Sequence, residues 1–177
     1  SDTLRATFGT SDVLPSSRLV SQADTVSGVG LSASTRTQGV FRTRVEFDTS
    51  SLTGGTGFRY EVFQPSDIDW SMIRTTGARK GRGLTNAEAA ARHGIGPIFP
   101  DGSVATLHHS QQSAIGPLFE ASTRYHHIGN AQRAPLHPFG RGQHPHHPLG
   151  RGAGSLREKF QGVDSPEYWK WRGQQEL

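Results

Sequence analysis

The chain has 177 residues, enough for one domain with a core of its own, but only 32% of them are hydrophobic and 22 Gly and 10 Pro are spread among them, so loops are plentiful and the core is modest. No apolar run approaches the roughly 20 residues of a helical membrane span, and the absence of cysteine excludes disulfides, thiolate metal sites and thiol nucleophiles. A net charge of +4, carried mostly by arginine, favours bidentate phosphate contacts and leans towards a nucleic-acid partner, a reading no better on charge alone than a mildly basic soluble surface.

Residues 1–38 are rich in Ser, Thr and Gly and lack sustained periodicity, which predicts an arm or linker ahead of a domain over residues 39–177. No secretory signal opens the chain. The only methionine is Met72, so Ser1 is expected to follow a longer preceding polypeptide.

From Val40 the pattern changes. Phe41, Thr43, Val45 and Phe47 alternate with Arg42, Arg44 and Glu46, and after a Gly-rich turn Phe58, Tyr60 and Val62 alternate with Arg59 and Glu61. Period-2 alternation on both sides of a turn predicts a β-hairpin. Asp67 and Asp69 beside Trp70 resemble an acidic metal site, but a turn with an aromatic anchor is the better reading. The loop over residues 77–83 places Arg79, Lys80 and Arg82 among glycines, a composition that suits equally a contact along a phosphate backbone and a plain solvated loop. Thr85 with Glu88 forms a capping box for a helix that Gly94 ends, and His93 reads as a cap on the C-terminal dipole.

Residues 107–137 gather five histidines. His108 and His109 follow a turn and sit on a short β-type segment, so their imidazoles leave opposite sides of the strand and can hold two different jobs. A second apolar segment runs through residues 115–121, with Ser122 or Thr123 as a helix cap and His126 and His127 in the first turns beyond. Past His137, a Gly/Pro/Arg segment carries His144, His146 and His147, read as a basic loop without defined ligand geometry. Ser155 with Glu158 is a second capping box, Pro166 stands at the favoured start of a last helix, and Trp169 is expected to pack on the core.

Histidines alone, at wide spacings, argue against a closed structural zinc site, which is usually four-ligand and cysteine-rich. They suit an open site holding a transition metal, with Mg a further choice in the cell, and one histidine acting as base near neutral pH.

Several of these elements recur together. Thr85 and Asn86, the lead-in from Gly96 and Pro97 to Asp101 and Gly102, Leu107-His108-His109 with Gln112, Gly116-Pro117-Leu118 with Glu120, the histidine pair 126–127, and Leu136-His137-Pro138 stand in the order of the LHH family of the HNH/endonuclease VII nuclease superfamily, which the chain resembles. The resemblance implies an α+β fold, with a ββα-metal (HNH/His-Me finger) core at about residues 102–138, an N-terminal β-hairpin and peripheral helices. It implies metal-dependent cleavage of DNA by a C-terminal toxin domain of a large secreted bacterial protein. That domain would act in the target-cell cytoplasm, and a cognate immunity protein would protect the producer.

On the same resemblance, His109 is the general base and His108 a metal ligand. His126 or His127 (the first favoured) and His137 complete the set around Mg, Mn, Ni or Zn. Glu120 orients His109 or fixes a loop, Gln112 hydrogen-bonds the site, and Arg79, Lys80, Arg82 and Arg124 are the expected nucleic-acid contacts. Two other functions compete: a ribonuclease using the 2′-OH as internal nucleophile, and a non-catalytic, metal-stabilised nucleic-acid-binding module.

Overall fold

A computed structural model describes residues 5–8, 41–110, 113–125 and 147–177. Five strands form one sheet: β1 (Arg5–Phe8), β2 (Phe41–Asp48), β3 (Arg59–Pro65), β4 (Thr106–His109) and β5 (Leu118–Ala121), in the order β1-β2-β3-β5-β4. β2 and β3 are the hairpin that the alternation predicts, paired Val45 to Val62 and Phe47 to Tyr60. Arg5–Phe8, within the stretch read as an arm, pairs with β2 as an outer strand. β3 and β5 run parallel, so the chain crosses over between them, and β4 is the other outer strand, antiparallel to β5.

The alternation separates the two faces. One carries Val45, Phe47, Tyr60, Val62, Leu107 and Leu118 into the core with Trp169 and Tyr168. The other carries the Arg44–Glu61 ion pair (2.7 Å) and a stack of Phe63 on Phe119 (centroids 4.8 Å) with Phe41 edge-on to Phe119.

Helix α1 (Asn86–His93) forms as its signals require. Thr85 accepts from the Glu88 amide, Glu88 accepts from the Thr85 amide, and Gly94 closes the helix in the left-handed region at φ 65°. Asn86 is fully buried and acts as a hub, its amide donating to the Asp69 and Ile98 carbonyls while its oxygen accepts from the Ile98 amide. The buried Arg74 donates to Asn86 (3.3 Å) and to the Gly96 carbonyl (2.8 Å), and burial lowers its pKa. Gly96 has no room for a side chain, since a Cβ there would lie 2.0 Å from the Ala105 carbonyl oxygen. That close approach lets residues 97–105 fold back as a tight turn, with Ala105 donating to Pro97 and Phe99 to Ser103 (both 2.8 Å), and deliver the chain into β4.

The C-terminal region is one continuous helical rod: α2 (Leu156–Lys159), a π turn (Phe160–Asp164) and α3 (Ser165–Glu176). Ser155 caps α2 by accepting from Glu158, as expected, but Glu158 turns to the Gly154 amide instead of completing the box. Pro166 stands in the first turn of α3, as the sequence predicts, although that helix follows the π turn without a break. Trp169 is buried, in accord with the sequence.

Candidate functional site around the histidine strand

β4 pairs Leu107 with Glu120, His108 with Phe119 and His109 with Leu118. Residues opposite one another in an antiparallel pair share a face. His109, Leu107, Leu118 and Glu120 therefore point into the core side, and His108 with Thr106 points to the other.

The His108 Nε2 lies 2.7 Å from the Thr106 hydroxyl. It opens on a groove of about 390 Å³ lined by Gly102, Ser103, Val104, Thr106, Ser122, Thr123 and Arg124. Hydroxyls, one imidazole and one guanidinium make this wall polar and suited to a phosphate. Its floor is held by Asp101, which accepts from the Ser103 amide (2.9 Å) and from Arg124 Nε (3.2 Å), while the Arg124 Nη2 reaches the Asp101 carbonyl (2.9 Å). Arg124 thus ties the chain after β5 to the turn before β4, and most of its side chain still faces solvent. Ser122 accepts from the Arg124 and Tyr125 amides (both 3.2 Å), the bonding of a helix N-cap. Tyr125 stacks on Phe99 (4.8 Å) and hydrogen-bonds to Asp67, so the chain is anchored just ahead of His126.

His109 sits in an aromatic cage and is 8% exposed. Phe160 lies with its centroid 4.3 Å from the imidazole, and Tyr60 at 6.3 Å, both in edge contact. Tyr60 also meets Phe160 (5.9 Å), closing a triangle of rings.

Glu120, expected to orient His109 or fix a loop, is fully buried and turned to the last helix. Its Oε2 accepts from the Tyr168 hydroxyl and from Arg172 Nε (2.8 Å), and its Oε1 from Arg172 Nη2 (3.4 Å). Tyr168 accepts in turn from Gln64 (3.0 Å), and the Arg172 guanidinium lies 4.7 Å over the Trp70 ring. Burial alone disfavours the Arg172 charge, but the Glu120 carboxylate beside it reverses the balance and holds the guanidinium charged more firmly than usual. Glu120 fastens α3 to the sheet, so its geometry suits a structural role and not a catalytic one.

Arg79, Lys80 and Arg82 are exposed on a loop wrapped around Arg74, with Arg79 and Lys80 in a short 3-10 turn and Arg82 donating to the Gly77 carbonyl (3.1 Å). Asp69 accepts from the Ser71 amide and hydroxyl, the turn that the sequence favoured over a metal site. Gln112, His126, His127 and His137 lie outside the described residues. Among the described residues no three His, Asp or Glu side chains converge, so of the expected metal ligands only His108 is placed: an imidazole on an accessible polar wall, a donor of the kind a divalent transition metal takes.

Sequence reasoning missed one row. Phe160, Asp164, Tyr168 and Arg172 repeat every fourth residue and are all buried against the sheet. Their mixed chemistry hides them from a hydrophobic pattern, although the four-residue spacing itself was legible.

A family model described as a nuclease of the HNH/ENDO VII superfamily with conserved LHH matches residues 85–175, just over half of the chain. The matched stretch starts at the cap of α1 and ends inside α3, and its LHH signature corresponds to Leu107, His108 and His109 on β4. No curated protein and no solved structure gives a significant match.

Proposed function

The chain belongs to the LHH family of the HNH/endonuclease VII nuclease superfamily, and from that premise we propose that it is a metal-dependent DNA endonuclease serving as a toxin domain. The observation that carries this reading is the division of the histidine doublet, with His108 on an open polar groove and His109 held in an aromatic cage. Such a division suits two roles on one strand, ligand and base.

In this reading His109 accepts the proton of the attacking water. Its packed surroundings keep bulk solvent away and fix the imidazole plane. His108, with His126 or His127 and with His137, would hold the metal, which supplies Lewis-acid stabilisation of the scissile phosphate when bound. Arg124 and the hydroxyls of Ser103, Thr106 and Ser122 steady the phosphate along the groove. Arg79, Lys80 and Arg82 add backbone contacts, which give affinity with little sequence preference. The same basic surfaces would suit an acidic immunity protein. The membership supports the further expectation of a secreted parent polypeptide delivering the domain into a competitor's cytoplasm.

The test is incubation of the purified chain with supercoiled plasmid and, separately, total RNA, each with Mg, Mn, Ni or Zn or a chelator. Metal-dependent nicking is expected. His109→Ala should abolish it while calorimetry still detects metal binding, and His108→Ala should lose both. Cleavage by either variant at the parental rate would sink the assignment. RNA degradation that survives the chelator, with plasmid intact, would transfer the reading to a ribonuclease. A gel shift without cleavage would leave only a binding module.

A further inference from the structure

The π turn at Phe160–Asp164 sits where it meets both His109 and the hairpin loop. Its first residue, Phe160, is buried edge-on to the His109 imidazole at 4.3 Å. Its last, Asp164, is fully buried and accepts from the Thr56 hydroxyl (2.5 Å), the Thr56 amide (3.3 Å) and the Tyr60 hydroxyl (3.4 Å). The Tyr60 ring packs on both Phe160 and His109. Imidazole, phenyl, phenol and carboxylate therefore form one closed circuit that joins β4, β3, the hairpin loop and the C-terminal rod.

The wide turn is what lets the rod reach both ends of that circuit and still dock α3. A row spaced every four residues drifts about 40° per step around a regular α-helix. Between Phe160 and Arg172 such drift would carry one end of the row off the sheet. The Ser165 amide bonds back five residues to the Phe160 carbonyl, and this wider turn takes up part of the drift. Phe160 then stays over His109 while Tyr168 and Arg172 stay on Glu120.

We propose that Phe160, set by the π turn and its Asp164 anchor, is a positioning residue that fixes the ring plane of His109 for its role in strand cleavage. The proposal rests on the nuclease reading above, with His109 as base. Edge contacts from two rings restrict rotation of the imidazole about its χ2 axis, a torsion that is otherwise broad. A base turned out of line loses rate without losing substrate, because Phe160 does not line the groove that would bind the phosphate.

The experiment compares the parent chain, Phe160→Leu, Phe160→Ala and His109→Ala in plasmid cleavage, with melting curves and the imidazole proton signals of His109 followed by NMR. Phe160→Leu keeps most of the apolar volume and guards against simple unfolding of the alanine variant. Both Phe160 variants should lower kcat by about 10- to 100-fold, a loss of the size that small misplacements produce, with KM within about twofold of the parent. In Phe160→Leu the His109 signals should shift and broaden while the rest of the spectrum is retained. A folded Phe160→Leu chain with parental kcat overturns the proposal, as do unmoved His109 signals. If His109→Ala itself cuts at the parental rate, the assignment of the base fails, a result that reads out separately from the NMR comparison.

Discussion

The two sides of the β4–β5 hairpin differ in kind. On the groove side, His108, Thr106, Ser103 and Arg124 are in contact with solvent and joined by exposed hydrogen bonds. On the core side, Glu120, Tyr168, Arg172 and Gln64 are buried and hydrogen-bonded to one another, and His109 is enclosed by rings. Polar groups left exposed stay available to a charged ligand, and polar groups spent on one another hold geometry. The difference teaches that two neighbouring histidines, alike in sequence, stand in opposite physical regimes, with water free to compete on one side and shut out on the other.

The comparison can be broken most severely at Glu120. Glu120→Ala leaves the buried Arg172 with only the partly exposed Glu176 as its carboxylate partner and should cost about 3–5 kcal/mol of stability, read as a lower denaturation midpoint. A loss below 1 kcal/mol would mean that the core side is no more rigid than the groove.

Arg124→Ala is the counterpart on the exposed side. Its pair with Asp101 is largely solvated, so stability should change by less than about 1 kcal/mol. DNA affinity should fall, and the slope of log affinity against log salt should shrink by about one unit. An unchanged slope would remove Arg124 from the set of phosphate contacts.

The smallest effect belongs to Asp164. Burial, opposed by its bonds from Thr56 and Tyr60, holds this carboxyl above the ordinary value of 3.8. The folded chain therefore keeps a proton that the unfolded chain releases. This contribution to stability is fully present below pH 3.8 and is lost as pH rises through the raised value. Asp164→Asn should flatten that part of the melting temperature against pH; an identical slope in the variant would show that other groups produce it.

Local signals in the sequence carried through where bonding is local. The capping box of Thr85, the end of α1 at Gly94 and the β2–β3 alternation each depend on residues a few positions apart, and each is present. The separation of His108 from His109 also follows from strand periodicity alone. The parallel pairing of β3 with β5, the use of Arg5–Phe8 as a strand and the partners of Glu120 depend on residues tens of positions distant, which no window of sequence contains. A phenylalanine near a helix start reads as ordinary core, and only the fold brings Phe160 to His109. The remaining ligand candidates, His126, His127 and His137, rest on the family pattern.

Glu120 and Arg172 are 52 residues apart in sequence, yet they meet in the core. The contact closes a loop whose entropy grows only with the logarithm of its length, so doubling a flexible connection costs about 0.6 kcal/mol. That is several times less than the about 3–5 kcal/mol lost when a buried ion pair is broken. Once the two ends are clasped, the Gly-, Pro- and His-rich stretch ahead of the C-terminal rod can gain or lose residues at little thermodynamic cost, without loosening the strand that carries the histidine doublet.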